Sequence, residues 1–292
     1  MTPDCFGLTD PGRKRDANED QFLVAELAVP ARVVRSSIPA AALGELTGGH
    51  LFVVADGLGG HNGGERASSL AVRAAAGHLV EALARPPEFA DPDYAAEAAL
   101  REAVEVAADA VDAEATADPN LGGMGTTITL ALVRGGRLHV AHAGDSRLYL
   151  FRAGRLWPLT RDHTYAELLA EQGRPVPPEA ARVLVNCLGG GSPGVAPEVA
   201  TFPVWRGDAL LLCTDGLHGP VPADAIARVL AGSATAEAAA RALVDAANAA
   251  GGPDNVTVVV ARFGSGRGRE EEDSPQRHRE HRADKDREAE MN

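Results

Sequence analysis

Two segments repeat one pattern: Val53-Val54-Ala55-Asp56-Gly57-Leu58 and Leu212-Cys213-Thr214-Asp215-Gly216-Leu217. In each, a short apolar run reads as a buried strand that delivers an aspartate at its C-terminal end, and the next residue, glycine, lets backbone approach a ligand closely. One Asp-Gly after a strand is ordinarily a turn. Two of them, with Asp254 at the start of a further strand, form the pattern of a carboxylate centre. Strand ends are rigid and present oxygen ligands with little entropy left to lose, which is what hard divalent cations such as Mg2+ or Mn2+ require. Several aspartates at one sheet edge repel each other, and a bound cation is the simplest relief. The bland alternative is a set of independent turn and capping aspartates.

The elements that must position these residues separate into blocks. Leu51 to Ala55 reads as a strand, and the glycine-rich stretch after it gives way to an alanine-rich helix running to about Ala84. A second helix is expected from Tyr94 to Ala115, with Pro86 and Pro87 in the gap between the two. The strongest hairpin pattern follows: Thr126 to Val133, the turn Arg134-Gly135-Gly136, and Arg137 to Ala143. After a break at Gly144-Asp145-Ser146, Arg147 to Arg152 completes the set. Short loops between adjacent strands imply antiparallel pairing. Residues 208–214 and 255–263 read as strands, and 222–231 and 235–250 as helices. The body is therefore mixed, with antiparallel strands in succession and helices grouped apart from them. Residues 30–50 and 171–200 are rich in Pro, Gly and small side chains and are expected as long loops, the second a flap bordering a site.

Composition narrows the function. The chain has 292 residues, 45% of them hydrophobic, which allows one good core, and its net charge is −13. No sustained basic run occurs in the body, which argues against binding nucleic acid. An acidic protein that handles phosphate needs another source of positive charge, and divalent cations would supply it. Cys5, Cys187 and Cys213 form no CxxC pair, so neither a disulfide framework nor a thiolate zinc site is expected. The opening MTPDCFGLTD has no signal-like pattern and no run of eighteen apolar residues occurs, so the expectation is a cytoplasmic protein without membrane insertion. From Gly264 to Asn292 the chain is charged in both signs with almost nothing apolar, the composition of a disordered tail.

Six motifs in order carry a family resemblance: Arg15-Asp16-Ala17-Asn18-Glu19-Asp20, Asp56-Gly57-Leu58-Gly59-Gly60-His61, Gly125-Thr126-Thr127, Gly144-Asp145-Ser146-Arg147, Thr214-Asp215-Gly216 and Gly252-Pro253-Asp254-Asn255. Together they resemble the PP2C-type (PPM family) metal-dependent serine/threonine protein phosphatases of bacteria. The resemblance implies an α+β fold, a sandwich of two antiparallel β-sheets flanked by helices on both sides. It implies a catalytic domain over residues 1–263, followed by the tail 264–292. It also implies hydrolysis of phosphoserine and phosphothreonine by in-line attack of a water bridging two Mn2+ or Mg2+ ions. By matching position, Asp56 would bridge both ions, with the Gly57 carbonyl on one and Asp215 and Asp254 on the other. Glu19 and Asp20 would act through water, Arg15 would bind the phosphate as a bidentate guanidinium, and Asp145 would help hold a third, weaker ion. Asn255 is placed as orienting Asp254 or a water, and His61 as a hydrogen-bonding loop residue.

One departure matters, because animal members have a histidine directly after the Asp-Gly, proposed as general acid, where this chain has Leu58. Leaving-group protonation must then come from elsewhere, such as water. His139 and His142 lie three apart on a strand and so face opposite sides, which excludes a shared metal. Expected partners are phosphorylated proteins, the substrates of a serine/threonine kinase, and the protein is expected to be a monomer. The alternative is a phosphatase-like module that binds phosphorylated partners without turnover. Loss of turnover should remove Asp56 or Arg15, and both are present.

Overall fold

The computed structural model describes residues 2–27, 32–37, 48–59, 63–84, 91–192 and 194–264. His61, most of 30–50 and the tail beyond Gly264 lie outside them, so the readings made for those positions are not addressed. In chain order the strands begin with β1 (Asp4–Asp10), β2 (Gln21–Glu26), β3 (Arg32–Ser36), β4 (His50–Ala55) and the short β5 (Gly57–Leu58). Helices α1 (Gly63–Ala84) and α2 (Pro92–Ala117) follow. Next come β6 (Gly125–Thr126), β7 (Ile128–Arg134), β8 (Arg137–Ala143), β9 (Arg147–Arg152) and β10 (Arg155–Pro158). Then α3 (Tyr165–Glu171), β11 (Leu188–Gly189), β12 (Glu198–Pro203) and β13 (Ala209–Cys213) lead to α4 (Asp215–His218), α5 (Ala223–Gly232), α6 (Ala236–Ala249) and β14 (Val256–Arg262).

Two antiparallel sheets face each other, one ordered β1-β14-β13-β9-β10 and the other β12-β8-β7-β4-β2-β3. Successive residues of the central strands point to different layers. Phe52, Val54, Leu210, Leu212 and Val259 meet between the sheets. Val53 and Ala55 face α1 and α2. Leu211, Cys213, Val258 and Val260 face α5 and α6. These strands are therefore buried on both sides, which is why they read as continuous apolar runs rather than as alternation. The expected sandwich with helices outside both sheets is what the chain forms.

The helices close the outer layers with small side chains. In α1 the residues Ala67, Ala71, Ala75 and Leu79 recur every four positions and are fully buried. In α2 the buried stripe is Leu100, Ala103, Val104, Ala107 and Val111. Asp91 starts α2 by accepting the Asp93 N–H at 2.9 Å, with Pro92 in the first turn. The β7–β8 hairpin forms as expected: Arg134 pairs with Arg137, and Gly135 and Gly136 both take positive φ (59° and 80°), the turn whose twist suits a two-residue connection.

The sequence pattern differs from the structure in four places, and the first is 32–36, expected as loop within 30–50, which forms β3 and pairs with β2. The stretch 171–200, expected as loop, contains the two-residue β11 and the start of β12, which pairs with β8 along the sheet edge. An edge strand is buried on one side only, and Pro203 closes it, so neither alternation nor a strong apolar run announces it. No periodicity marks β1, where Gly7 leaves a gap in the side-chain pattern because the Phe22 ring lies 2.3 Å from where a Cβ would stand. Asp215 opens the short helix α4 rather than ending β13 directly, with Thr214 between them. Among the described residues no helix is long and apolar enough to cross a membrane.

Candidate metal and phosphate site

Sheet register assembles the site. Ala55 at the end of β4 pairs with Gln21 at the start of β2, so Asp56 emerges beside Asp20. Cys213 at the end of β13 pairs with Arg147 on one side and Val258 on the other, so Asp215 emerges between Asp145 and the Asp254-Asn255 segment. Strand ends of both sheets thus converge at one edge of the sandwich, and five carboxyls meet there. Asp20 is buried, at 2% exposure. Asp56, Asp145, Asp215 and Asp254 each keep part of their surface open.

The consequence is electrostatic. Burial first, then Asp20, Asp215, Asp145 and Asp254, raise the Asp56 carboxyl well above the ordinary carboxylate range. Burial raises Asp20 to about 7, opposed by hydroxyl donors and assisted by Asp215 and Asp254. Asp145 is likewise pushed to about 7 by burial, then by Asp215 and Asp162. Asp215 is raised by burial and by Asp254, while Arg15 pulls it down. Burial raises the Glu19 carboxyl too.

Hydroxyls and glycines fix this geometry. Thr214 donates its hydroxyl to Asp20 Oδ2 at 2.8 Å and accepts the Thr257 N–H at 3.0 Å. Thr127 binds Asp56 from both directions: its N–H donates to the Asp56 carbonyl at 2.9 Å, and its hydroxyl accepts the Asp56 N–H at 3.0 Å. The Thr126 hydroxyl donates to the same carbonyl at 2.8 Å. The Thr127 hydroxyl also meets Ser146 at 2.8 Å, tying the Gly-Thr-Thr and Gly-Asp-Ser-Arg segments together. A Cβ on Gly57 would stand 2.3 Å from the Gly64 carbonyl oxygen, and one on Gly216 would stand 1.8 Å from that of Asn255. Both positions therefore require glycine for close approach.

Arg15 reaches the cluster from an exposed segment, its Nη2 2.7 Å from Asp254 Oδ2, with 54% of its side chain exposed. Asn255 places its backbone N–H, not its amide, on Asp254 Oδ1 at 2.9 Å. Its side chain turns to residues 11–19 instead. Leu58, which stands after the Asp-Gly, pairs with Gly125 of β6. Val183, in the flap region, has its carbonyl taken by the Tyr165 N–H at 2.7 Å. His139 and His142 face different layers: His139 meets Thr201 at 2.9 Å, and His142 meets Thr129 at 2.9 Å.

Sequence reasoning missed the supports around Asp145. Arg147 binds Asp162 through two hydrogen bonds, at 2.8 and 2.7 Å. His218 donates from Nε2 to the Asp145 carbonyl at 3.0 Å. Gly144 donates its N–H to His163 Nδ1 at 3.2 Å and accepts the His163 N–H at 2.7 Å. In the sequence these partners stand as the dipeptide Asp162-His163 after the hairpin, and a dipeptide in a turn carries little information by itself.

The residues fit divalent cations. Among the described residues Asp20 Oδ1 is buried with no hydrogen-bond partner, inside a cluster of carboxyls whose mutual repulsion a cation would remove. The donor set is all oxygen, the chemistry of Mg2+ and Mn2+. Among the described residues no three His, Cys, Asp or Glu side chains already close to a ligand cage. Asp254 is paired with Arg15 instead.

Comparison with known proteins agrees. Residues 40–250 match the family model described as protein phosphatase 2C. The chain is 40% identical over 219 residues to the serine/threonine protein phosphatase PstP of Mycobacterium tuberculosis, covering 73% of this chain and 40% of that relative. It therefore spans about two fifths of the length of that curated relative. Identity to the serine/threonine phosphatase stp of Listeria monocytogenes is 32% over 261 residues, 86% of this chain and 92% of the relative. A crystal structure of the PstP catalytic domain in complex with two manganese ions superposes with a TM-score of 0.70 at 35% identity. That match covers 90% of this chain and 99% of the PstP chain.

Proposed function

From the chain's membership of the protein phosphatase 2C family, we propose that it is a manganese- or magnesium-dependent phosphatase of phosphoserine and phosphothreonine in proteins, acting against a serine/threonine kinase. The observation that carries the reading is the convergence of Asp56, Asp215, Asp254 and Asp20, from both sheets, at one edge of the sandwich, with Arg15 paired to Asp254.

Asp56 would contact two ions, the Gly57 carbonyl one of them, and Asp215 and Asp254 the other. Glu19 and Asp20 would reach them through intervening water. Asp145, held from behind by His218 and flanked by the Arg147–Asp162 pair, suits a third, weaker site. When bound, the ions supply an acidified water for in-line attack at phosphorus and positive charge for the phosphoryl oxygens. Arg15 adds a planar guanidinium to bind two of those oxygens and orient the phosphate. The ester bond from phosphorus to the serine or threonine oxygen breaks, and that oxygen takes its proton from water, since Leu58 cannot give one. The backbone bonds of Thr126 and Thr127 keep Asp56 from moving as charge develops.

Hydrolysis of a phosphothreonine peptide with Mn2+, with Mg2+ and with chelator, beside Asp56→Ala, tests the reading. The expected result is metal-dependent turnover that falls by at least about a thousandfold in the variant. Full activity in chelator, or an undiminished variant, would sink it.

A further inference from the structure

We propose that Asn255 is the positioning residue for phosphate binding: its side-chain amide holds the segment 11–20 in the one conformation that brings Arg15 over the carboxylate cluster. This rests on the reading of Arg15 as the phosphate-binding residue.

Asn255 is 6% exposed, and its amide donates both its protons and accepts a third bond. Nδ2 donates to the Pro11 carbonyl at 3.1 Å and to the Ala17 carbonyl at 2.8 Å. Oδ1 accepts the Glu19 N–H at 2.9 Å. One side chain thus grips the segment at its beginning, near its end and at Glu19, with Arg15 between the grips.

The segment has little else to fix it. Pro11 and residues 13–17 are exposed, so no apolar side chain anchors them. The ion pair of Arg15 with Asp254 is exposed on both sides and fixes geometry weakly. Ser68 donates its hydroxyl to the Glu19 carbonyl at 2.5 Å, and the other bonds are few. Gly12 donates to Asp10 at 2.9 Å, Asn18 donates to Thr9 at 2.8 Å, and Arg13 donates to the Gly252 carbonyl at 2.8 Å. Of the bonds that cross to the 252–255 segment, those of the Asn255 amide come from a buried side chain and are the ones that grip the segment on both sides of Arg15. Asparagine is required because only an amide offers two donors and an acceptor in one plane. An aspartate of the same shape would set carboxylate oxygen against the carbonyls of Pro11 and Ala17.

The test uses the full chain, wild type and the variants Asn255→Ala, Arg15→Ala and the double. Inorganic phosphate affinity of the Mn2+-loaded proteins is measured by calorimetry, Mn2+ affinity separately, and amide hydrogen exchange across the chain. Asn255→Ala is expected to weaken phosphate binding about tenfold, the effect of losing buried hydrogen bonds. Mn2+ affinity should stay within about twofold of wild type, and so should the added effect of Asn255→Ala in the Arg15→Ala background. Exchange should quicken in residues 11–19 and stay unchanged in β14. Equal losses in both backgrounds, Mn2+ affinity falling in step with phosphate affinity, or unchanged exchange in 11–19 overturns the proposal. Should Asn255→Ala fail to fold, Asn255→Asp keeps the packing volume and is judged by the same outcomes. Peptide hydrolysis by the wild type is run in parallel. Its absence would refute the phosphatase reading and leave the phosphate-affinity cycle as the test of Asn255.

Discussion

Asp56 and Asp215 differ from Arg15 in how the fold holds them. The two aspartates follow β4 and β13, whose residues Leu51 to Ala55 and Ala209 to Cys213 are at most 1% exposed, and packing on both faces leaves their backbone no freedom. Arg15 rides on an exposed segment fixed by hydrogen bonds, chiefly from Asn255. In the proposed roles, carboxyls that hold metal would tolerate little displacement, whereas a guanidinium that binds phosphate would have to admit and release a product. The difference therefore separates what must be rigid from what must yield, and each half can be broken independently.

The largest effect should come from the rigid half. Asp215→Asn is expected to lower metal-dependent hydrolysis by about a thousandfold, while raising the melting temperature in chelator, because it removes one of several repelling buried carboxyls. Activity and chelated stability moving together would contradict the picture of a cluster that is strained without cations.

Next come two glycines, one in each half. Gly216→Ala would press a methyl group into the Asn255 carbonyl, 1.8 Å away, between packed elements, and should cost about 3 kcal/mol in denaturant unfolding. Gly12→Ala would meet the Asp254 carbonyl at 2.2 Å from a positive φ of 78°. That segment can shift, so its global cost should stay near ~1 kcal/mol, with the damage appearing in KM for a phosphopeptide. Equal global costs would erase the distinction between the halves.

The smallest effect is in pH. Asp20 and Asp145 have folded pKa values near 7 against an ordinary 3.8, so their protonated forms are the stabilising ones. That contribution is complete below the ordinary value and is lost as pH rises through the folded one. In chelator the protein should therefore lose stability, read as a falling Tm, between pH 5 and pH 8. Saturating Mn2+ should remove the slope. A flat profile in chelator would mean that the carboxyls are not in each other's field.

Much of this was legible before any fold was known. The repeated strand-Asp-Gly pattern located Asp56 and Asp215, and the hairpin at Arg134 to Arg137 formed where its glycines placed it. The alanine-rich stretches became α1 and α2, lengthened by two residues at each end of α2 relative to the expected 94–115. Less legible were β1, β2 and β12, whose burial depends on partners far along the chain. The roles of Thr127, Thr214, Asp162 and His163 were hidden for the same reason, since a hydroxyl or an imidazole shows its partner only once distant segments meet.

The sequence by itself determined which residue types stand ready for chemistry and which strands are buried, because local apolar runs and glycines constrain backbone directly. Only the tertiary structure decided that these carboxyls share one field, that Thr127 locks Asp56, and that Asn255 grips the Arg15 segment rather than orienting Asp254. Those are facts of register between strands and of hydrogen bonds spanning more than two hundred residues, such as Asn255 to Ala17 at a separation of 238. No local pattern encodes the partner of a buried amide, since its bonding is fixed by whatever the packed sheets bring to it.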